Sequence, residues 1–235
     1  MEADTIEVAI QLGEIVADTI LIENITEHSV DYSVETESGI SVANSIIFNE
    51  QNDQFWFPAN NSASINLNPP FSFSFWLKPM GSFWNNDGVP DKFISASNQD
   101  FDQTDFWRIV LTDDEGSYPQ IGWMDEDSYF LATSPLVDLE WYHVAIVIED
   151  SSQNISIYIN GDQEVDETLI NDIPTINNLR INEGNSQEFN GFLSQTASWN
   201  TALNDTEVME IFEIGPDADL RNNIGDYNSS SNLLF

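Results

Sequence analysis

Phe71-Ser-Phe-Ser-Phe-Trp-Leu-Lys-Pro79 is the stretch that decides the fold. Successive side chains of a strand point to opposite sides. Phe71, Phe73, Phe75 and Leu77 therefore share one face, and Ser72, Ser74, Trp76 and Lys78 share the other. Large apolar residues at a strict period of two mark a strand against a core. Two later stretches agree. Trp141-Tyr-His-Val-Ala-Ile-Val-Ile148 is apolar on both faces, as a central strand covered from both sides would be. Ile155-Ser-Ile-Tyr-Ile-Asn-Gly161 alternates again and ends in Asn-Gly, the pair that two-residue hairpins favour.

Working outward, Ser45–Phe48 reads as a strand, Asn49–Asp53 as a turn and Phe55–Phe57 as a strand stopped by Pro58. A long polar loop spans Gly81–Asp91. Further strands are expected at Phe93–Ser97, Phe106–Thr112, Gln120–Met124, Tyr129–Thr133, Gln163–Val165, Leu179–Ile181 and Phe192–Trp199. One helix is signalled. Asn204-Asp-Thr-Glu207 has the spacing of a capping box, Val208, Ile211 and Phe212 form an apolar stripe, and Gly215-Pro216 ends it. Leu233-Leu-Phe235 is expected to pack on the body. The fold class expected is all-β, a two-sheet antiparallel sandwich with one short C-terminal helix. Residues 1–43 hold β-rich pieces at Thr5–Ile10, Ile15–Ile25 and Tyr32–Val34. They form either edge strands of the sandwich or an arm that docks on a neighbouring subunit, and residues 44–235 form the domain itself.

The 235 residues are 41% hydrophobic, with 15 Phe and 7 Trp, enough for a sizeable core. Forty-one acids face five bases (Lys78, Lys92, Arg108, Arg180 and Arg221), a net charge of −36. Such a surface repels phosphate backbones and anionic membranes, which excludes nucleic-acid binding. It suits life in high salt, where ions screen self-repulsion within a few ångströms, or carboxylates that hold divalent cations. With no cysteine there is neither a disulfide nor a thiolate metal site. No apolar run is long enough to insert in a bilayer. Met1-Glu-Ala-Asp lacks the features of a signal peptide, an expectation that fits a virion protein released by lysis and equally a cytoplasmic one.

Five segments in order resemble the laminin-G-like, concanavalin A-like lectin/glucanase jelly roll. Ser45-Ile-Ile-Phe-Asn-Glu-Gln-Asn-Asp53 is similar to that family's opening strand and turn. Phe73–Pro79 resembles its Phe-Thr-hydrophobic-Ser-x-Trp-hydrophobic-Lys-Pro strand, Trp141–Ala145 its Trp-x-His-Val-Ala strand, and Ile157–Gly161 its Leu-Tyr-Val-Asn-Gly hairpin. Phe189–Gln195 with Trp199–Leu203 looks like its Phe-x-Gly-x-Ile-Asp-Glu ending. The resemblance implies a jelly roll from about Ser45 onward. Residues 215–235 look like the tail that follows this domain in bacteriophage and marine-virus structural proteins. What this implies is a non-enzymatic capsid-decoration or tail/fibre protein at the virion surface. It would assemble with other virion subunits, as a homo-oligomer, and attach to a host glycan. A free lectin or adhesin is the alternative, and a glucanase-type hydrolase comes last.

The family's rim calcium takes ligands from the opening turn and from the Asp-Glu pair after Phe-x-Gly. Here the turn supplies Asn49 and Asp53, while Ser194-Gln195 replaces both later carboxylates. A hard cation wants several oxygens. Calcium is therefore left with Asn49, Asp53 and Gln195 as candidate ligands. Pyranose faces stack on aromatic rings while amides and carboxylates take the hydroxyls, so Trp84, Asn85, Asn86 and Asp87 are the glycan-binding candidates. Trp107, Trp123 and Tyr129 lie near turn ends, whereas Trp76, Trp141 and Trp199 are structural. Two acidic strings, Asp125-Glu-Asp127 and Glu164-Val-Asp-Glu167, are the nearest approach to a glycosidase pair and read as solvated acids, so no catalytic residue is assigned. His143 reads as a packed, hydrogen-bonded residue of the central strand, and two histidines without cysteine make no usual zinc site.

Overall fold

The computed structural model describes residues 45–48, 55–57, 68–80, 91–97, 107–112, 119–150, 153–173, 176, 178–182, 189–216 and 231–233. All belong to the unit Ile40–Phe235. The extension expected at 1–43 lies outside the described residues. Among those described, thirteen strands and one helix follow in order: β1 (Ser45–Phe48), β2 (Phe55–Phe57), β3 (Phe71–Pro79), β4 (Asp91–Ser97), β5 (Trp107–Thr112), β6 (Gln120–Asp125), β7 (Tyr129–Leu131), β8 (Tyr142–Ile148), β9 (Asn154–Ile159), β10 (Asp162–Thr168), β11 (Asn178–Ile181), β12 (Gly191–Trp199), α1 (Asp205–Ile214) and β13 (Ser231–Leu233).

They form two antiparallel sheets. One runs β1-β12-β3-β8-β9-β10, with β13 also on the edge of β12, and the other runs β2-β11-β4-β5-β6-β7. Strand β3 sits between β12 and β8, with Phe73 opposite Ile146 and Ser198, and Phe75 opposite Val144. Its Phe face is wholly buried between the sheets, together with Phe93, Trp107 and Trp123 of the facing sheet. Each such side chain contributes roughly 1.5–3 kcal/mol on burial, so this layer carries most of the apolar stabilisation. The β9–β10 hairpin turns through Asn160 (φ 53°) and Gly161 (φ 85°), the two positive φ values that the Asn-Gly pair implies. At Gly191 a Cβ would lie 2.3 Å from the Lys78 carbonyl oxygen, so only glycine lets β12 start beside the end of β3.

The second face of β3 is buried as well. Helix α1 and the segment before it cover the outside of the seven-stranded sheet, where Ala145, Val147, Tyr158, Ala197, Trp199, Leu203, Val208 and Ile211 make a smaller apolar layer. Buried Ser72 holds this cover down. Its hydroxyl donates to the Thr201 carbonyl (2.8 Å) and accepts from the Leu203 N–H (2.9 Å). Tyr158 Oη donates to Asp205 Oδ1 at 2.7 Å, at the first turn of α1, and burial together with that carboxylate raises the phenol's pKa. The capping box is complete. Asn204 Oδ1 accepts from the N–H groups of Thr206 and Glu207, and the Glu207 carboxylate accepts from the Asn204 N–H. Asn204→Ala is expected to cost about 1 kcal/mol, a fall of roughly 2–4 °C in Tm by thermal unfolding.

Several strands differ in length from the sequence reading. β10 extends to Thr168, well past Val165, because it pairs with the whole of β9 down to Asn154. β7 stops at Leu131. β10 forms an open edge of its sheet and carries Asp162, Glu164, Asp166 and Glu167. Such charge discourages pairing with a further strand. No helix among the described residues is long and apolar enough to cross a membrane.

Candidate functional site

Antiparallel pairing gathers a set of turns at one end of the sandwich. β3 begins there with Phe71 opposite Ile148 of β8, β5 begins with Trp107 opposite Asp125 of β6, and β10 finishes with Thr168 opposite Asn154 of β9. The Phe71 and Trp107 rings stack across the sheets at 6.2 Å, which puts the ends of both sheets together. The chain leaving β10 crosses this end as Leu169–Ile173.

Two clefts flank that crossing segment and share Asp172 and Ile173. The larger, about 350 Å³, is lined by Trp107, Trp123, Asp125, Glu126, Asp127 and Asn171 besides the shared pair. The smaller, about 280 Å³, adds Glu149, Asp150 and Gln153. Trp107 and Trp123 stack with centroids 4.8 Å apart and are buried, so they form the inner wall of the larger cleft. The sequence reading placed both near turn ends, and the structure buries both in the inter-sheet core. Tyr129, at the start of β7, is about half exposed.

The walls are held by short-range hydrogen bonds. Asp125 Oδ1 accepts from the N–H groups of Asp127 (2.9 Å) and Ser128 (2.7 Å), while its Oδ2 accepts from Trp123 Nε1 (3.1 Å). The crossing segment is pinned at four points. Leu169 N–H donates to the Gln153 carbonyl, Ile170 N–H to Ser128 Oγ, Asn171 Nδ2 to Asp127 Oδ2 (2.5 Å), and Gln153 Nε2 to Asp172 Oδ1. The cleft is thus shaped before any ligand enters, which lowers the ordering cost of binding. Carboxylates and an amide on its wall suit a polyol, whose hydroxyls can bond to them.

Two acids of the acidic strings, Asp125 and Glu164, are occupied structurally. Asp125 is taken up by a turn that closes on its own backbone and by the Trp123 indole N–H. Glu164 sits at a bulge in β10, where its Oε2 accepts from Thr133 Oγ1 (3.0 Å) and the Ser134 N–H (2.7 Å). It thereby ties β10 to the chain that leaves β7, edge strand to edge strand. Neither acid is placed as an unengaged nucleophile or acid–base group.

The glycan candidates Trp84, Asn85, Asn86 and Asp87 lie outside the described residues, as do Asn49 and Asp53. β3 ends and β4 begins at the far end of the sandwich from the clefts. Gln195 is described. It lies at a bulge of β12 with φ 47°, and its Nε2 donates to the Gly215 carbonyl (2.6 Å) at the end of α1. Of the three calcium candidates only Gln195 is among the described residues. No group of three or more metal-ligating side chains converges among the described residues.

His143 needs a correction. It is fully buried between Trp76 (5.3 Å) and Phe212 of α1 (6.1 Å), but neither ring nitrogen meets a hydrogen-bond partner among the described residues. Only its backbone is bonded, to Asn160. Burial lowers its pKa to about 3, so the ring is neutral. Trp76 and Trp199 are buried as expected, whereas Trp141 is half-buried, beside Phe192 and with Lys78 Nζ 6.0 Å above its ring.

Asn171 and Asp172 escaped the sequence reading. The available signal was slight, an Asn-Asp pair two residues before Pro174 in an inter-strand connection.

The family model described as concanavalin A-like lectin/glucanases superfamily matches residues 46–209. Among solved structures, the chain is similar to a heptameric SAP-like pentraxin from Limulus polyphemus at 16% identity and TM-score 0.56, covering 72% of this chain and 80% of that one. It is also similar to the binding domain of botulinum neurotoxin serotype D at 16% identity and TM-score 0.54, covering 72% of this chain and 42% of that one. No curated protein matches the sequence.

Proposed function

Since the chain belongs to the concanavalin A-like lectin/glucanases superfamily, we propose that it is a non-catalytic, lectin-like module that binds carbohydrate in the cleft beside the Leu169–Ile173 crossing. The observation that carries this reading is the larger cleft itself, whose wall of Asp127, Asn171 and Asp172 is fixed in advance by hydrogen bonds. The engagement of Asp125 and Glu164 in structural bonds supports the absence of a hydrolytic step. The setting proposed is the surface of a virus particle in salty water. It is supported by the resemblance of residues 215–235 to the tail of virus structural proteins, and by a net charge of −36 that concentrated salt screens.

The test is a broad glycan array followed by titration calorimetry on the strongest hits. Asp127→Ala and Asn171→Ala are each expected to weaken binding about tenfold, the loss of one hydrogen bond that involves a charged or polar wall group. Tm should fall by less than about 4 °C, because the pair lies at the surface. An array with no hit, or hits whose affinity ignores both substitutions, overturns the reading.

A further inference from the structure

We propose that the margin of the sandwich that carries β1 is a self-association surface, on which β1 of a second copy of this chain pairs antiparallel about a two-fold axis. The placement of charge carries the inference. Acids make up about one residue in six of the chain, yet residues 40–70 hold only Glu50 and Asp53, and no Lys or Arg. That stretch contains β1 (Ser45–Phe48) and β2 (Phe55–Phe57), each the end strand of its sheet among the described residues and each without a charged residue. Strand β13 (Ser231–Leu233) follows β1 along the same side of β12, and it too is uncharged. The opposite margin differs. There β10 carries Asp162, Glu164, Asp166 and Glu167, and Glu164 ties it to the chain leaving β7. Phe48 of β1 meets Phe189, which meets Phe93 of β4, so β1 lies over the side of the facing sheet where β4, β11 and β2 run. Among the described residues β1 pairs on one side only, with β12, and its Ile47 is 41% exposed. An uncharged edge strand with an exposed apolar residue is a template for a further strand. The occupant follows from the net charge of −36. Two copies repel each other wherever their acids meet, so the margin cleared of charge is where like approaches like at least cost. A basic partner would instead be drawn to the acids. Self-pairing of β1 closes as a dimer, because the same patch serves both copies, and main-chain hydrogen bonds then run one seven-stranded sheet into the other.

The test is sedimentation velocity on the full chain, from about 1 to 100 μM, in 0.15 M and in 1 M NaCl. A monomer–dimer equilibrium is expected, with a Kd that falls at least threefold at the higher salt as repulsion between the copies is screened. Ile47→Glu puts a like charge on each copy's edge and should raise Kd at least tenfold. Ile170→Glu makes the same change of charge at another exposed apolar residue, beside the end of β10, and should leave Kd within twofold. Hydrogen exchange of the unmodified chain gives a reading that needs no variant. The amides of residues 45–48 should exchange more slowly as concentration rises through Kd, while those of β10 should not change. A chain that stays monomeric at 100 μM in 1 M NaCl overturns the proposal. So does an Ile170→Glu effect as large as that of Ile47→Glu. Protection of 45–48 that is already complete in the monomer overturns it too, since another part of the same chain would then occupy the edge.

Discussion

Phe75→Ala is expected to destabilise the domain by about 3–5 kcal/mol, the cost of truncating a fully buried aromatic side chain, and to lower Tm by roughly 6–20 °C. Phe75 is completely buried at the middle of β3. Its ring meets Phe73 at 5.8 Å and Phe93 of the facing sheet at 5.4 Å, and Phe93 in turn meets Phe189 at 4.8 Å. Removing it opens a void that these rings cannot all collapse into, because each is held by a strand whose register is set on both sides. Asp166→Asn on the exposed edge strand β10 should stay within about 0.5 kcal/mol. Urea unfolding of both variants checks the contrast. A Phe75→Ala loss below about 1 kcal/mol would mean that β3 does not face the core with its Phe row, and the sandwich as described would be wrong.

That Phe row was legible because period two is a local property. Four apolar residues at alternate positions can be buried together only on one face of a strand. The other face of β3 was not legible to the same degree. Trp76 read as structural, but Ser72 and Ser74 beside it look like an outer surface, yet all three are buried. The cover comes from Leu203, Val208, Ile211 and Phe212, about 130 residues further along, and nothing within 71–79 encodes it. The Asn204 capping box did announce the helix itself. What it could not announce was the sheet face onto which the helix folds.

The cleft divides in the same way. Trp107, Trp123 and the Asp125-Glu-Asp127 string were each visible in the sequence, but as separate features. They meet because β5 and β6 pair with Trp107 opposite Asp125, and because the 169–173 segment crosses over them. That crossing is set by bonds to Ser128, Asp127 and Gln153, partners from two different turns, so Asn171 and Asp172 had no local pattern to betray them. Glu164 makes the same point from the other side. In a string of acids it looks solvated, yet the bulge in β10 turns it toward Thr133 and Ser134 of another edge.

His143 yields the second large effect, and its sign follows from burial. The unfolded ring takes a proton near its ordinary pKa of 6.5, while the folded ring holds out to about 3, since burial disfavours the charged form. Below pH 6.5 the unfolded state therefore binds more protons, and stability falls as pH falls. This term is absent above pH 6.5 and grows through the interval down to about pH 3. It amounts to roughly 3 kcal/mol lost between pH 7 and pH 4, at 1.36 kcal/mol per pH unit. Protonation of the many carboxylates acts over the same range in the opposite direction, by relieving self-repulsion. The His143 contribution is for that reason read as a difference. His143→Phe keeps an aromatic ring between Trp76 and Phe212 and removes two nitrogens that have no partner among the described residues. At pH 7 the variant should be at least as stable as the wild type, because an unsatisfied buried polar atom is a cost. Its advantage should then widen by about 3 kcal/mol by pH 4, measured by urea unfolding at matched salt. A difference that stays level from pH 7 to pH 4 would mean that the folded ring accepts a proton as readily as the unfolded one. The packing of α1 over the Trp76–His143 pair would then be looser than the structure describes.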